Sequence, residues 1–223
     1  TKIDLVLAKA ILAIGLPISV YMFFEVAAFS AATFMVGWIS KDHMSAHQIA
    51  LSLASMSFVL AMGIGNAGSI MTATYLGEKR LEKIKGVAVS VIVITLSLSL
   101  VTASVFLLFK NQLPLIFVPS TEKLIITQAA SMLVLAAIFQ FSDGLQVVFQ
   151  GLLQGVGDVK VPSFIAVFSY WVIGLPLGYW YAFCNSMSAQ GVWVGLAIGL
   201  TFSAILQILR YRYVLKQLLV VEK

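Results

Sequence analysis

Two acidic side chains are the residues of this chain whose type and surroundings point to chemistry. Glu25 stands in "SVYMFFEVAAFSA" (19–31) and Asp143 in "FQFSDGLQVVFQGLLQG" (139–155). Of the nine acids, only these two lie deep within apolar runs. No base is near Glu25. The nearest lysines, Lys9 and Lys41, are each about 24 Å away along a helix that rises about 1.5 Å per residue. An ionised acid at the centre of a bilayer costs about 2.5–3.5 kcal/mol on insertion scales, and the stability of a helical bundle does not call for it. A carboxylate in this setting takes up a proton or finds a cation. On either chemistry Glu25 and Asp143 form a coupling-ion site, for H⁺ or for Na⁺ as the metal.

Their neighbours support a wet interior. At about 100° per residue, Gln140, Asp143, Gln146, Gln150 and Gln154 fall within an arc of about 120°. Gln48, Ser52, Ser55 and Asn66 share a face of an earlier run, and Tyr21 precedes Glu25 by one turn. These residues predict a hydrated cavity lined by Tyr21, Ser52, Ser55, Asn66, Gln140 and Gln146. The plainer reading of the glutamines and serines is interhelical hydrogen bonding. His47, beside Gln48, reads as an interfacial hydrogen-bonding residue near the end of its run, or as a titrating group.

Other motifs fail on context. "GVGD" at 155–158 matches the Gly-x-Gly-Asp of intramembrane aspartyl proteases, but such enzymes need two aspartates facing each other across helices. Asp158 precedes "VKVP", which reads as a turn. "STEK" at 120–123 has Ser-x-x-Lys spacing without partners. There is no His-Glu-x-x-His and no nucleotide-binding loop. The single cysteine, Cys184, excludes an intrachain disulfide and a multi-cysteine metal site. The expectation is a protein that is not an enzyme and has no cofactor, whose transport is passive or driven by an ion gradient.

The elements that position the acids follow from composition. Apolar residues make up 61% of the chain, charged residues 10%, and the mean hydropathy is +1.02. Soluble domains are about 45–50% apolar and about 25% charged. Six long apolar runs, at 5–38, 44–75, 84–109, 124–153, 162–183 and 191–209, each approach or exceed the ~20 residues needed to span a bilayer. Lipid forbids unpaired backbone, and the ~10-residue alternating strands of a barrel are absent. The predicted fold is all-α, a polytopic membrane protein with a bundle of six transmembrane helices. Of the 14 basic residues, 11 fall on the side of the termini. The opposite side keeps Lys41, Lys110 and Lys123, so both termini are expected in the cytoplasm. The net charge of +5 is therefore an orientation signal and not a nucleic-acid patch. Pro17 and Pro176 invite kinks. "GIGNAGS" at 63–69 suits close helix packing or a flexing point. "YWVIGLPLGYWY" at 170–181 reads as an interfacial aromatic belt with packing.

Several of these stretches, in order and spacing, resemble one family. "MVGWISKDHMSAHQIALSLASMSFVLAMGIGNAGSI" is similar to the first-to-second helix passage of the C-terminal lobe of MATE multidrug exporters. "FSDGLQVVFQGLLQGVGDVKVP" resembles the fourth helix and following turn of that lobe, and "YWVIGLPLGYW" its fifth. The likeness covers nearly all 223 residues. It implies two six-helix lobes related by an axis along the membrane normal, with residues 1–223 as the second. The partner would be an N-terminal lobe, and the setting the cell's inner membrane among its lipids. A start at Thr1 without Met is read as a chain cut from something longer, or as processing.

Within the family the NorM branch carries acids where Glu25 and Asp143 stand, and Gln48 matches a position associated with the cation pocket. The DinF branch relies on acids of the other lobe. NorM-type sequences often have Tyr four residues before the Asp. Phe139 stands there, so one candidate oxygen is missing and Na⁺ and H⁺ both remain open. The usual Arg-Gly-x-Gly-Asp-Thr-Arg turn is also altered, at Gln154, Val159 and Lys160. The implied function is antiport, exporting amphipathic and often cationic drugs in exchange for Na⁺ or H⁺. The rival readings are a lipid-linked oligosaccharide flippase of the same superfamily and a six-helix subunit that needs a partner half.

Overall fold

Within lipid a backbone has no hydrogen-bond partner except itself, and the chain answers with helices throughout its apolar runs. The computed structural model describes residues 4–221; residues 1–3 and 222–223, at the termini given an orientation above, lie outside the described residues. The helices are α1 (Leu5–Gly37), α2 (Lys41–Gly77), α3 (Leu81–Leu108), α4 (Lys123–Gly155), α5 (Lys160–Cys184) and α6 (Ser188–Val221). All six are long and apolar enough to cross a membrane.

The first five match the expected runs to within three residues at each end. The sixth continues past residue 209 to Val221. Hydropathy marks where a span leaves the apolar layer, not where its helix stops. Beyond that point Tyr211 is buried against Phe149, with ring centroids 5.6 Å apart. Arg210 Nε donates to Asp158 Oδ2 at 2.6 Å. Asp158 is thus the anchor between the α4–α5 turn and α6, and "GVGD" is no half of an aspartate dyad.

Local signals set the ends. Asp4 caps α1 by accepting from the N–H groups of Val6 (2.9 Å) and Leu7 (3.3 Å). Ser40 Oγ accepts from the N–H of His43 at the start of α2. The α4–α5 turn uses Gly157 at φ +83°, where a side chain would be strained. Four of the five connections are short, which makes sequence neighbours antiparallel. The α3–α4 connection is longer and holds a 3₁₀ turn, Leu113–Ile116.

α4 is the central helix and packs on α2, α3 and α6. Its crossing with α2 brings backbone onto backbone. A Cβ at Gly151 would collide with the main chain of Gly65, and one at Gly155 would lie 2.6 Å from the carbonyl oxygen of Ser69. Gly65 and Gly68 of "GIGNAGS" are therefore packing residues. α5 meets α6 in the same way, through Gly174 and Gly178 against Gly195 and Gly199. Around Pro176, α5 carries two widened π-helical stretches, Ser169–Gly174 and Trp180–Cys184. α1 stays helical through Pro17.

The bundle's surface is apolar, with Phe23, Phe34, Leu108 and Phe164 all exposed, as a membrane protein requires. α1 is the least covered: 6% of its apolar window is buried, against 50% in α6. Backbone proximity at the α2–α4 crossing predicts that Gly151→Val destabilises the bundle by about 1–3 kcal/mol or more. Gly63→Ala, where a Cβ meets nothing within 4 Å, should be nearly neutral. Thermal unfolding in detergent reads both; equal melting temperatures would contradict the crossing.

Candidate functional site

Glu25 sits in the middle of α1 and Asp143 in the second half of α4, and both face inward. Glu25 is 6% exposed and Asp143 4%. Among the described residues the ion pairs are Arg80–Glu78, Arg80–Glu82 and Arg210–Asp158. None involves either buried acid.

Neutral donors hold Glu25 instead of a base. Tyr170 Oη, from the first π-helical stretch of α5, donates to Glu25 Oε1 at 2.8 Å, and Gln146 Oε1 lies 3.4 Å from the same hydroxyl. Gln146 Nε2 in turn donates to Tyr21 Oη at 3.2 Å. The network joins α1, α4 and α5 around one carboxylate. Asp143, one turn before Gln146, has its Oδ1 buried with no hydrogen-bond partner.

Two cavities meet at Glu25. The larger, about 590 Å³, lies toward the end of the bundle opposite the termini. Glu25, Asp143, Gln48, Ser55 and Thr33 line it, among Phe29, Phe34 and Phe139. The smaller, about 310 Å³, lies toward the terminus-bearing end and is lined by Tyr21, Glu25, Asn66, Gln150 and Gln154. Glu25, Met22 and Phe58 line both and form the partition between them.

The structure therefore brings Glu25, Asp143, Gln48 and Ser55 to one cavity, and Tyr21 and Asn66 to the other. Three of the residues expected to line the cavity, Gln140, Ser52 and Gln146, line neither. Gln140 ties α4 to α3: its Nε2 donates to the Ser99 carbonyl (3.2 Å) and its Oε1 accepts from Thr102 Oγ1 (2.8 Å). Ser52 lines neither cavity, and its carbonyl accepts from Ser55 Oγ at 2.8 Å. Gln146 is wholly buried and acts within the network. The polar arc of α4 is wider than the cavities. Its margins, Gln140 and Gln146, pack on neighbouring helices, while Asp143, Gln150 and Gln154 between them line open space.

Two readings change. His47 is fully buried, not interfacial. Its Nδ1 accepts from Trp193 Nε1 at 3.1 Å. An indole only donates, so Nε2 carries the proton and donates to Thr33 Oγ1 at 3.0 Å. Thr33 Oγ1 then donates to the Phe29 carbonyl. This chain fastens α1, α2 and α6 along the wall of the larger cavity. Tyr170 is likewise no belt residue. Tyr179 and Trp180 are half-exposed, as a belt requires, but Tyr170 is wholly buried. Its spacing from Gly174 and Gly178, one and two turns on, was the available signal that it lies on the packed face of α5. Phe139 forms an apolar wall against Trp193, with centroids 5.6 Å apart, where a tyrosine would bring a hydroxyl.

The MatE family profile matches residues 17–180. The chain belongs to the MatE family. MatE proteins are transporters and not enzymes. The chain is 36% identical over 213 residues to the probable multidrug resistance protein NorM of Pasteurella multocida, covering 94% of the chain and 46% of that protein. It is 34% identical to the multidrug resistance protein MdtK of Yersinia pestis, with the same coverage. Its fold superposes with a TM-score of 0.90, at 21% identity, on a multidrug resistance MATE transporter solved in an outward-facing conformation, covering 97% of the chain and 48% of that structure. The chain spans about half the length of the curated relatives it matches, and forms a six-helix bundle like one lobe of the twelve-helix MATE architecture.

The His47 bridge generates a stability test. His47→Leu strands the Trp193 indole N–H and should cost about 1–3 kcal/mol. Trp193→Phe in the same background should recover part of that loss. Simple additivity of the two changes in a thermal-unfolding cycle would contradict the bridge.

Proposed function

We propose that this chain is the C-terminal lobe of a NorM-type multidrug antiporter in which Glu25 and Asp143 carry the coupling ion. One observation supports this above the others: two buried acids without a cationic partner line the same largely apolar cavity. The names of the relatives, multidrug resistance proteins, favour small-molecule cargo. An apolar, aromatic-walled space of about 590 Å³ suits amphipathic drugs. Neither cavity at Glu25 is lined by Lys or Arg, which phosphate-bearing cargo would need, so the drug reading is preferred to the flippase.

In this reading the protein lies in the inner membrane with its termini in the cytoplasm, and the larger cavity opens outward. The ion arrives there and answers the negative charge of Glu25 and Asp143. It shifts the lobe between conformations only by binding one more tightly than the other. Reciprocal linkage makes the ion-loaded state the one with lower affinity for drug. A proton needs only the carboxylates. Among the described residues no three His, Cys, Asp or Glu side chains converge on a metal position, so Na⁺ would complete its shell with neutral oxygens, a role we assign to Gln48 of the same cavity. The N-terminal lobe covers α1.

The test uses the full two-lobed transporter in vesicles. Glu25→Gln and Asp143→Asn should each reduce gradient-driven drug export about tenfold or more while leaving the protein folded. Imposing Na⁺ and pH gradients separately assigns the ion. Wild-type export by both variants would end the proposal.

A further inference from the structure

The smaller cavity contains a polar group that the ion-carrier reading has not used. Gln150 is 4% exposed, lines the cavity, and has neither carboxamide atom hydrogen-bonded. Buried polar groups in native proteins are nearly always partnered, and one left alone is destabilising. Both amide atoms are unpartnered and closed off from solvent, so a guest that drew the oxygen toward the cavity would relieve that cost. Asn66 and Gln154 line the same space, Asn66 at its exposed mouth.

The chemistry of the walls selects the guest. Glu25 is the one charged residue of the lining, at the partition, and repels an anion. At about 310 Å³ the space is at the small end of drug-sized pockets, which run from about 300 to 1,000 Å³. Neutral carbonyl oxygens beside a carboxylate suit a monovalent cation. They hold it weakly enough to let it go, as conduction requires. Glu25 lines both cavities, so an ion held there also borders the smaller one.

We propose that the smaller cavity is a second, weaker monovalent-cation site, through which the coupling ion leaves Glu25 toward the terminus-bearing side. Gln150 Oε1 is its principal ligand, with the Asn66 and Gln154 carboxamides beyond it. This rests on the reading of Glu25 as the ion carrier.

The experiment measures drug export by the full transporter in oriented vesicles, with an inward Na⁺ gradient in one set and an inward proton gradient in another. Under the gradient that drives the wild type, Gln150→Leu should export about tenfold more slowly. The half-saturating ion concentration on the outer face should stay unchanged. Inhibition by the same ion on the cytoplasmic face should need about tenfold more of it. Removing an unpartnered amide should leave the melting temperature equal or higher. Gln150→Asn, which keeps the carboxamide, should retain most of the rate. Wild-type export by Gln150→Leu, or a loss of outer-face ion affinity matching the loss in rate, overturns the proposal. Were Gln150→Leu not to fold, Asn66→Val must show the same split between rate and outer affinity, and its absence overturns the proposal equally. Failure here leaves Glu25-dependent coupling intact, whereas normal export by Glu25→Gln would remove the parent reading.

Discussion

A carboxylate kept among apolar helices with no base to answer it is the constraint on which the rest of this structure depends. A lysine or arginine beside Glu25 would neutralise it permanently, and no ion could then bias the bundle by occupying it. The chain uses hydroxyls and amides instead. Tyr170 fixes the carboxylate by a 2.8 Å hydrogen bond, and Gln146 and Tyr21 extend the arrangement. Neutral donors orient the group and leave its charge open to whatever arrives. The 2.6 Å ion pair Arg210–Asp158 includes neither buried acid and serves the α4–α5 turn.

Holding Tyr170 at that distance requires the helices to approach closely. α5 lies against α6 through facing glycines, and its turns widen on both sides of Pro176. The first widened stretch carries Tyr170 inward to α1. The Gly65–Gly151 contact does the same for α4, setting Asp143 and Gln146 opposite α1. The Trp193–His47–Thr33 chain holds the other half of α1 to the bundle. Packing of small residues and neutral hydrogen bonding thus supply the rigidity that a hydrophobic effect cannot supply inside lipid. The two buried acids, Glu25 and Asp143, are left at the cavity wall without an ion pair.

Much of this was readable from the sequence because the bilayer imposes it. Span length and the absence of strands follow from hydrocarbon thickness and unsatisfied backbone, and the five earlier helices end near where hydropathy falls. Two lone acids within such spans stand out on cost alone. What was not readable depends on neighbours. A projection of α4 shows that Gln140 and Asp143 share a face, but not that α3 covers the edge bearing Gln140. Tyr170 was hidden because an aromatic-rich run looks like a belt, and only packing separates it from Tyr179 and Trp180. His47 looked interfacial by its distance from the helix end, whereas Trp193 of a distant helix closes over it. The α6 extension was lost because its basic residues resemble a loop until Tyr211 and Arg210 find partners.

The most direct measurement reverses the driving force. Vesicles holding the full transporter are given a drug gradient and no ion gradient, and Na⁺ and proton movements are followed together with the drug. The buried-carboxylate mechanism predicts that one of these ions moves opposite to the drug in a fixed ratio, and that the counter-movement vanishes when both acids are replaced by their amides. Drug crossing at an unchanged rate with neither ion moving would contradict it.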